Sequence, residues 1–359
     1  MLSKPTVIFS ALLVIFCTSQ LVHAEPVTDV SEKRFVMTID GQSLSVPIYS
    51  NHDIDKASKV IDRVVIAAHG AGRNGPSETR LTEAAKKLQI NDSTLIVLPQ
   101  FLMAEDIEKH KVKSDVLFWN GGWREGDFSV STEAHTRPAR ISSYVVIQRL
   151  LEHVLSKNPN VKHVVFTGHS AGAQIIQRFA AGSAIDDALN AKGIQIRYVL
   201  SNPSSYLYFD KRRRVGEALD KFAEPSADAI KKCPTFDAYK LGLEGLNEFM
   251  AATGAEKLRA NYAKRDIVYL LSAEDNDPKH VQLERTCGAM MQGEHRLQRG
   301  TIHFNYASAN VNDAKVGKKT LVVVPGFAHT SNILASACGT SFIFDKGDCA
   351  HVKATSSKP

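Results

Sequence analysis

The chain alternates short apolar runs with segments whose apolar residues recur at helical spacing. Arg34-Phe35-Val36-Met37-Thr38-Ile39 and Leu44-Ser45-Val46-Pro47-Ile48-Tyr49 flank Asp40-Gly41, the pattern of a β-hairpin. Further runs rich in Val, Ile and Leu at 63–68, 93–99, 161–167, 195–201, 266–271 and 319–325 read as strands, the last of them closing the series. Helical periodicity covers about 77–88, 141–155 and 173–180. Residues 101–132 read as irregular and carry Trp119 and Trp123, while 203–265 read as a long mixed insertion, a helical cap. Strands alternating with helices imply an α/β fold with a mainly parallel central sheet and helices on both faces.

Composition changes this picture little. The 359 residues are 43% hydrophobic and 23% charged, with no repeat or low-complexity linker, which favours one domain over 25–359. The formal charge of +6 is mild. Its one concentration, Lys211-Arg212-Arg213-Arg214, reads as a solvated loop, with contact to an anionic surface or substrate as the alternative. No basic stripe is interleaved with aromatic residues, so no nucleic-acid partner is expected. Oligomeric state is left open.

The first 24 residues read as a signal peptide. Lys4 precedes the short apolar core from Val7 to Phe16, and Val22-His23-Ala24 is a small-residue cleavage site, so the mature chain is expected to begin at Glu25. No later run is long and apolar enough to span a bilayer. Apart from Cys17, the cysteines are Cys233, Cys287, Cys338 and Cys349, an even number that favours disulfides in an exported protein. Three pairings are possible. Cys233–Cys287 and Cys338–Cys349 are preferred because each closes a local loop. No metal-ligand spacing accompanies these cysteines, so no metal site is expected. Periplasm or extracellular space is the expected location.

The chemistry concentrates where run 161–167 enters Gly168-His169-Ser170-Ala171-Gly172 and then a helix. Strand, G-x-S-x-G and helix in that order form the pattern of a nucleophile elbow. A serine hydroxyl is a poor nucleophile at neutral pH. It needs a base, and a carboxylate to orient that base. His329 follows the last apolar run and is the chosen base; His163 lies inside a strand, and the side chain of His169 is expected to point away. Ser272-Ala273-Glu274-Asp275-Asn276-Asp277-Pro278 offers three carboxylates. Asp275 is the first choice as acid. Asp277 could serve instead, with Asp275 or Glu274 then capping a helix.

The chain order Ser170, Asp275, His329, together with His69-Gly70 after an early strand, resembles the α/β-hydrolase family over about residues 60–340. The resemblance implies a secreted hydrolase acting on carboxylic esters through an acyl-enzyme, with no cofactor. It also implies an oxyanion hole formed by the N–H of Ala171 and an N–H from His69-Gly70-Ala71-Gly72, with Ala71 the first choice. Trp119, Trp123 and Tyr206 are candidate substrate-lining residues, with core packing as the alternative role. The long interval from Asp275 to His329, which contains Cys287, departs from the family pattern. A peptidase or amidase, or an acyltransferase, would use the same triad. A hydrolase-like binding protein would be expected to have lost one of its members, and none is lost.

Overall fold

The computed structural model describes residues 25–137, 139–309 and 317–356. The leader expected at 1–24 lies outside these. Nine strands form one sheet: β1 (Arg34–Ile39), β2 (Gln42–Ser50), β3 (Arg63–Ala68), β4 (Thr94–Pro99), β5 (His163–His169), β6 (Gln195–Ser201), β7 (Ile267–Ser272), β8 (Lys319–Val324) and β9 (Val352–Ser356). Their spatial order is β1-β2-β4-β3-β5-β6-β7-β8-β9. From β4 through β8 every pairing is parallel; β1, β2 and β9 join antiparallel at the edges.

The central strands are buried on both faces, which is why they read as continuous apolar runs. Along β3, Val64 and Ile66 enter one core while Val65 and Ala67 enter the other. Helix α1 (Pro76–Lys87) covers the second face with Leu81 and Ala85. Helices α2 (Ser143–Lys157) and α3 (Ala171–Gly182) cover the first with residues such as Ile147, Leu151, Ile176 and Phe179. Helix α4 (Arg296–Ala309) adds Phe304 and Tyr306 to the first face, and α5 (Ala337–Phe344) adds Ile343 and Phe344 to the second.

Three expectations are corrected. The sheet does not end at β8. Strand β9 follows, and it is exposed at 352–354; its sequence, Val352-Lys353-Ala354-Thr355-Ser356, mixes apolar and polar residues and leaves no apolar run. The span 101–132 is not wholly irregular, since it holds a helix at Ala104–His110 and a 3-10 turn at Gly122–Glu125. The basic cluster is not a solvated loop throughout. Arg213 is buried, pairs with Asp237 at 3.0 Å and lies over the Tyr208 ring.

The insertion between β6 and β7 contains three short helices, Ala227–Lys232, Glu248–Thr253 and Ala255–Lys264. Its Tyr206, Leu207, Tyr208, Met250, Leu258 and Tyr262 belong to the same core as the sheet. Among the described residues no helix is long and apolar enough to cross a membrane.

Disulfides join Cys233 to Cys287 and Cys338 to Cys349, closing loops of 54 and 11 residues. If cross-links act mainly through loop-closure entropy of the unfolded chain, replacing the first pair with serines costs about 4 kcal/mol and the second about 3 kcal/mol. Urea unfolding of the two double variants measures this; a larger loss for the short loop contradicts the ordering.

Candidate active site

The turn after β5 determines where Ser170 sits. Ser170 has φ 57° and ψ −117°, a backbone conformation a side-chain-bearing residue adopts only under constraint. The constraint is close packing. A methyl group on Gly168 would collide with the backbone of Gly172, and one on Gly172 would collide with the carbonyl oxygen of Ala68. Both positions therefore exclude side chains, and α3 starts directly against the end of β3. The Ser170 N–H is held by the carbonyl of Ser201 on β6 at 2.9 Å.

The geometry brings three of the candidate residues together. Asp275 Oδ2 lies 2.7 Å from His329 Nδ1, and His329 Nε2 lies 3.0 Å from Ser170 Oγ. A carboxylate can only accept, so Nδ1 carries the proton and Nε2 of the neutral ring is free to accept from the serine. Asp275 is buried. Burial alone would raise its carboxyl, but the hydrogen bond from His329 and the nearby Arg296 guanidinium outweigh it and hold Asp275 below the usual carboxylate range.

The three carboxylates of the acid loop are sorted by what they bind. Glu274 Oε1 accepts from the N–H of Gly326 at 2.7 Å, and the Glu274 N–H donates to Phe327, so Glu274 staples the acid loop to the loop carrying His329. Asp277 Oδ1 accepts from the N–H of Lys279 and caps its own turn. Only Asp275 faces His329. Asn202, in the left-handed region at φ 48°, bridges the ends of β6 and β7 through both its amide groups to Ser272.

The loop after β3 is pinned at two points. His69 Nε2 accepts from the N–H of Phe101 at 3.0 Å, so Nδ1 carries the proton and donates to the Gly70 carbonyl at 2.9 Å. Arg73 forms a buried bidentate pair with Asp106 at 2.8 and 2.9 Å and also donates to the Ala71 carbonyl. Among the described residues, no protein acceptor takes the N–H of Ala71 or of Ala171.

Of the two roles open to the tryptophans, core packing is the one observed. Trp119 and Trp123 are 0% and 2% exposed; Trp119 donates to the Asp127 carbonyl, and Trp123 stacks on Phe101 and leans on His69. Both indoles anchor their loop and offer no face to a ligand. Tyr206 is likewise fully buried, stacked on His303. His169 does not point away: its ring lies 4.5 Å from that of His329, and His280 contributes a second ring at 5.0 Å. Arg296, Arg73 and Asp106 carry no local motif and were not legible as site residues. Among the described residues no cluster of His, Cys, Asp or Glu is arranged to hold a metal ion.

Two measurements test this framework. Asp106→Asn leaves the Arg73 cation buried without its partner and should cost on the order of 3 kcal/mol in urea unfolding; Arg73→Met combined with Asp106→Leu should cost less than the single change. Burial holds His69 at about 4, and burial with the adjacent His329 holds His169 at about 3, both below the ordinary imidazole value. The unfolded chain therefore binds more protons below about pH 6.5. Stability is full above that pH and falls as pH drops towards 4, by about 2 kcal/mol per imidazole at pH 5. Urea midpoints at pH 7 and pH 5 check this, and His169→Phe should reduce the difference.

No protein-family model matches the sequence, and no curated protein does. Solved structures do match. Poly(aspartic acid) hydrolase-1 from Sphingomonas sp. KT-1 aligns at 24% identity with a TM-score of 0.56, over 88% of this chain and 99% of its own. A poly(3-hydroxybutyrate) depolymerase from Bordetella parapertussis aligns at 18% identity with a TM-score of 0.56, over 90% and 93%. Their shared architecture, with the strand order and the turn after β5 described above, identifies the fold of this chain as that of the α/β-hydrolases.

Proposed function

We propose that the protein is an exported serine hydrolase that cleaves carboxylic esters through an acyl-enzyme on Ser170. The observation that carries this reading is the unbroken hydrogen-bond relay Asp275–His329–Ser170 at the carboxyl ends of β7, β8 and β5. As Oγ attacks the ester carbonyl carbon, His329 Nε2 takes its proton, and Asp275 stabilises the imidazolium that results. The carbonyl oxygen becomes an oxyanion received by the N–H groups of Ala171 and Ala71. Collapse breaks the bond to the alcohol, which leaves with the proton from Nε2. Water, deprotonated by the same nitrogen, then releases the acid and restores Ser170.

Two disulfides support the exported location. The names of the two structural neighbours, a poly(3-hydroxybutyrate) depolymerase and a poly(aspartic acid) hydrolase, support a polymeric or oligomeric substrate. The second name also favours an alternative, a serine amidase using the same triad.

Fluorophosphonate labelling tests the reading. The wild type should label at Ser170, with labelling lost in Ser170→Ala and His329→Ala. Asp275→Asn should lower ester kcat/KM by about 10⁴-fold, whereas Asp277→Asn should leave it within a few fold. Equal losses in the two Asp variants would contradict the assignment of the acid. Oligomeric ester and amide substrates assayed side by side separate esterase from amidase.

A further inference from the structure

Asp275 has two carboxylate oxygens, and they have different partners. Oδ2 faces His329. Oδ1 accepts from Arg296 Nη1 at 3.3 Å. The Arg296 side chain is completely buried, and its Nε and Nη2 have no acceptor among the described residues, so the only carboxylate it touches is Asp275. Arg296 opens α4, and the next residue, Leu297, donates its N–H to the Asp275 backbone carbonyl at 3.1 Å. The start of this helix therefore grips the acid through both main chain and side chain.

We propose, resting on the serine-hydrolase reading above, that Arg296 is a positioning residue that orients Asp275 and offsets its charge, so that His329 remains an unprotonated base to lower pH. A carboxylate held at one oxygen can rotate about its terminal bond; held at both, it keeps Oδ2 on His329 Nδ1. The charge count is equally specific. With Arg296 present, the carboxylate, the guanidinium and a neutral imidazole sum to zero, and proton transfer from Ser170 to His329 leaves this trio at +1. Without Arg296 the remaining carboxylate and imidazole rest at −1, which favours the imidazolium before substrate arrives.

Other groups face this pair. His169 reaches His329 from the end of β5, and His280 reaches it from the acid loop. Asp277 and His295 lie within electrostatic reach of Arg296 and Asp275. Arg80, on α1, donates to Ser331 and bears on His169. These groups are common to every variant below, so differences between variants report position 296.

The test compares the wild type with Arg296→Lys and Arg296→Gln, each checked for fold by circular dichroism. The readouts are kcat, KM and the pH profile of kcat/KM on a p-nitrophenyl ester. Arg296→Lys keeps the charge but loses the planar fork. Its expected result is about a tenfold loss in kcat, an unchanged KM and an acid limb where the wild type has it. Arg296→Gln keeps an amide donor group without the charge, and its acid limb should move up by about one pH unit. Wild-type kcat in Arg296→Lys overturns the positioning role, even if Arg296→Gln fails to fold. An unmoved limb in folded Arg296→Gln, or equal shifts in both variants, overturns the charge role. An inactive wild type overturns the serine-hydrolase reading and this proposal with it; an active wild type with unaffected variants overturns the assignment of Arg296 alone.

Discussion

The site depends on one close backbone approach, between the start of α3 and the end of β3. Gly172 lets the helix backbone touch the Ala68 carbonyl, and Gly168 makes room for Gly172 in turn. With those contacts in place, the chain reverses from strand to helix within one residue, and Ser170 is held at positive φ. The strain is local, while its support is distributed. Helix α3 is buried along its whole length, and the Ser201 carbonyl ties Ser170 to β6. A looser elbow would relax the serine back towards ordinary backbone geometry and lower its hydroxyl from the crest of the turn.

A second tier of polar contacts turns that fixed serine into a constellation. The loops after β3, β7 and β8 are joined to the scaffold by buried or backbone-directed polar groups. Asp106 and Arg73 fix the first, Glu274 joins the second to the third, and Asn202 fastens the end of β7 to β6. The buried members, the Arg73–Asp106 pair and Asn202, carry a desolvation cost that only full hydrogen bonding offsets, and each is multiply bonded. Such contacts give directional specificity that apolar packing lacks. That is the property required when Asp275, His329 and Ser170 must be held within hydrogen-bond reach.

The parts legible in the sequence were those governed by local physics. Buried parallel strands show as apolar runs, the elbow shows as small residues around Ser170, and His329 follows a strand end. The sequence narrows the acid to Asp275 or Asp277, because local sequence does not say which carboxylate turns inward; contacts from His329 and Lys279, the first far along the chain, make the distinction. The roles of the tryptophans were undecidable for the same reason. An indole in a glycine-rich loop looks alike whether it faces a ligand or Phe101. His169 faces His329 because it is the last strand residue before the chain bends into the elbow, a bend that the local pattern does not convert into a side-chain direction. Arg296 lies at the head of a helix that the periodicity did not reveal, and nothing near it in sequence names Asp275 as its partner.

The long interval between acid and base gains a physical account from these contacts. It carries His280, which packs on His329, and Arg296, which packs on Asp275. It is also fastened to the insertion between β6 and β7 at several points. Cys287 is bonded to Cys233, Glu284 pairs with Lys240 and accepts from Ser205, Gln292 exchanges hydrogen bonds with the Tyr206 backbone, and Arg299 donates to the Ser204 carbonyl. The two excursions thus form one cross-linked unit over the carboxyl ends of β5, β6 and β7. Gln174 and Arg178, following Ser170 at four-residue steps along α3, meet that unit at Ser205. Displacing the insertion as a rigid flap would break these bonds and disturb the segment that leads into Arg296, so its position and the acid's environment are mechanically coupled.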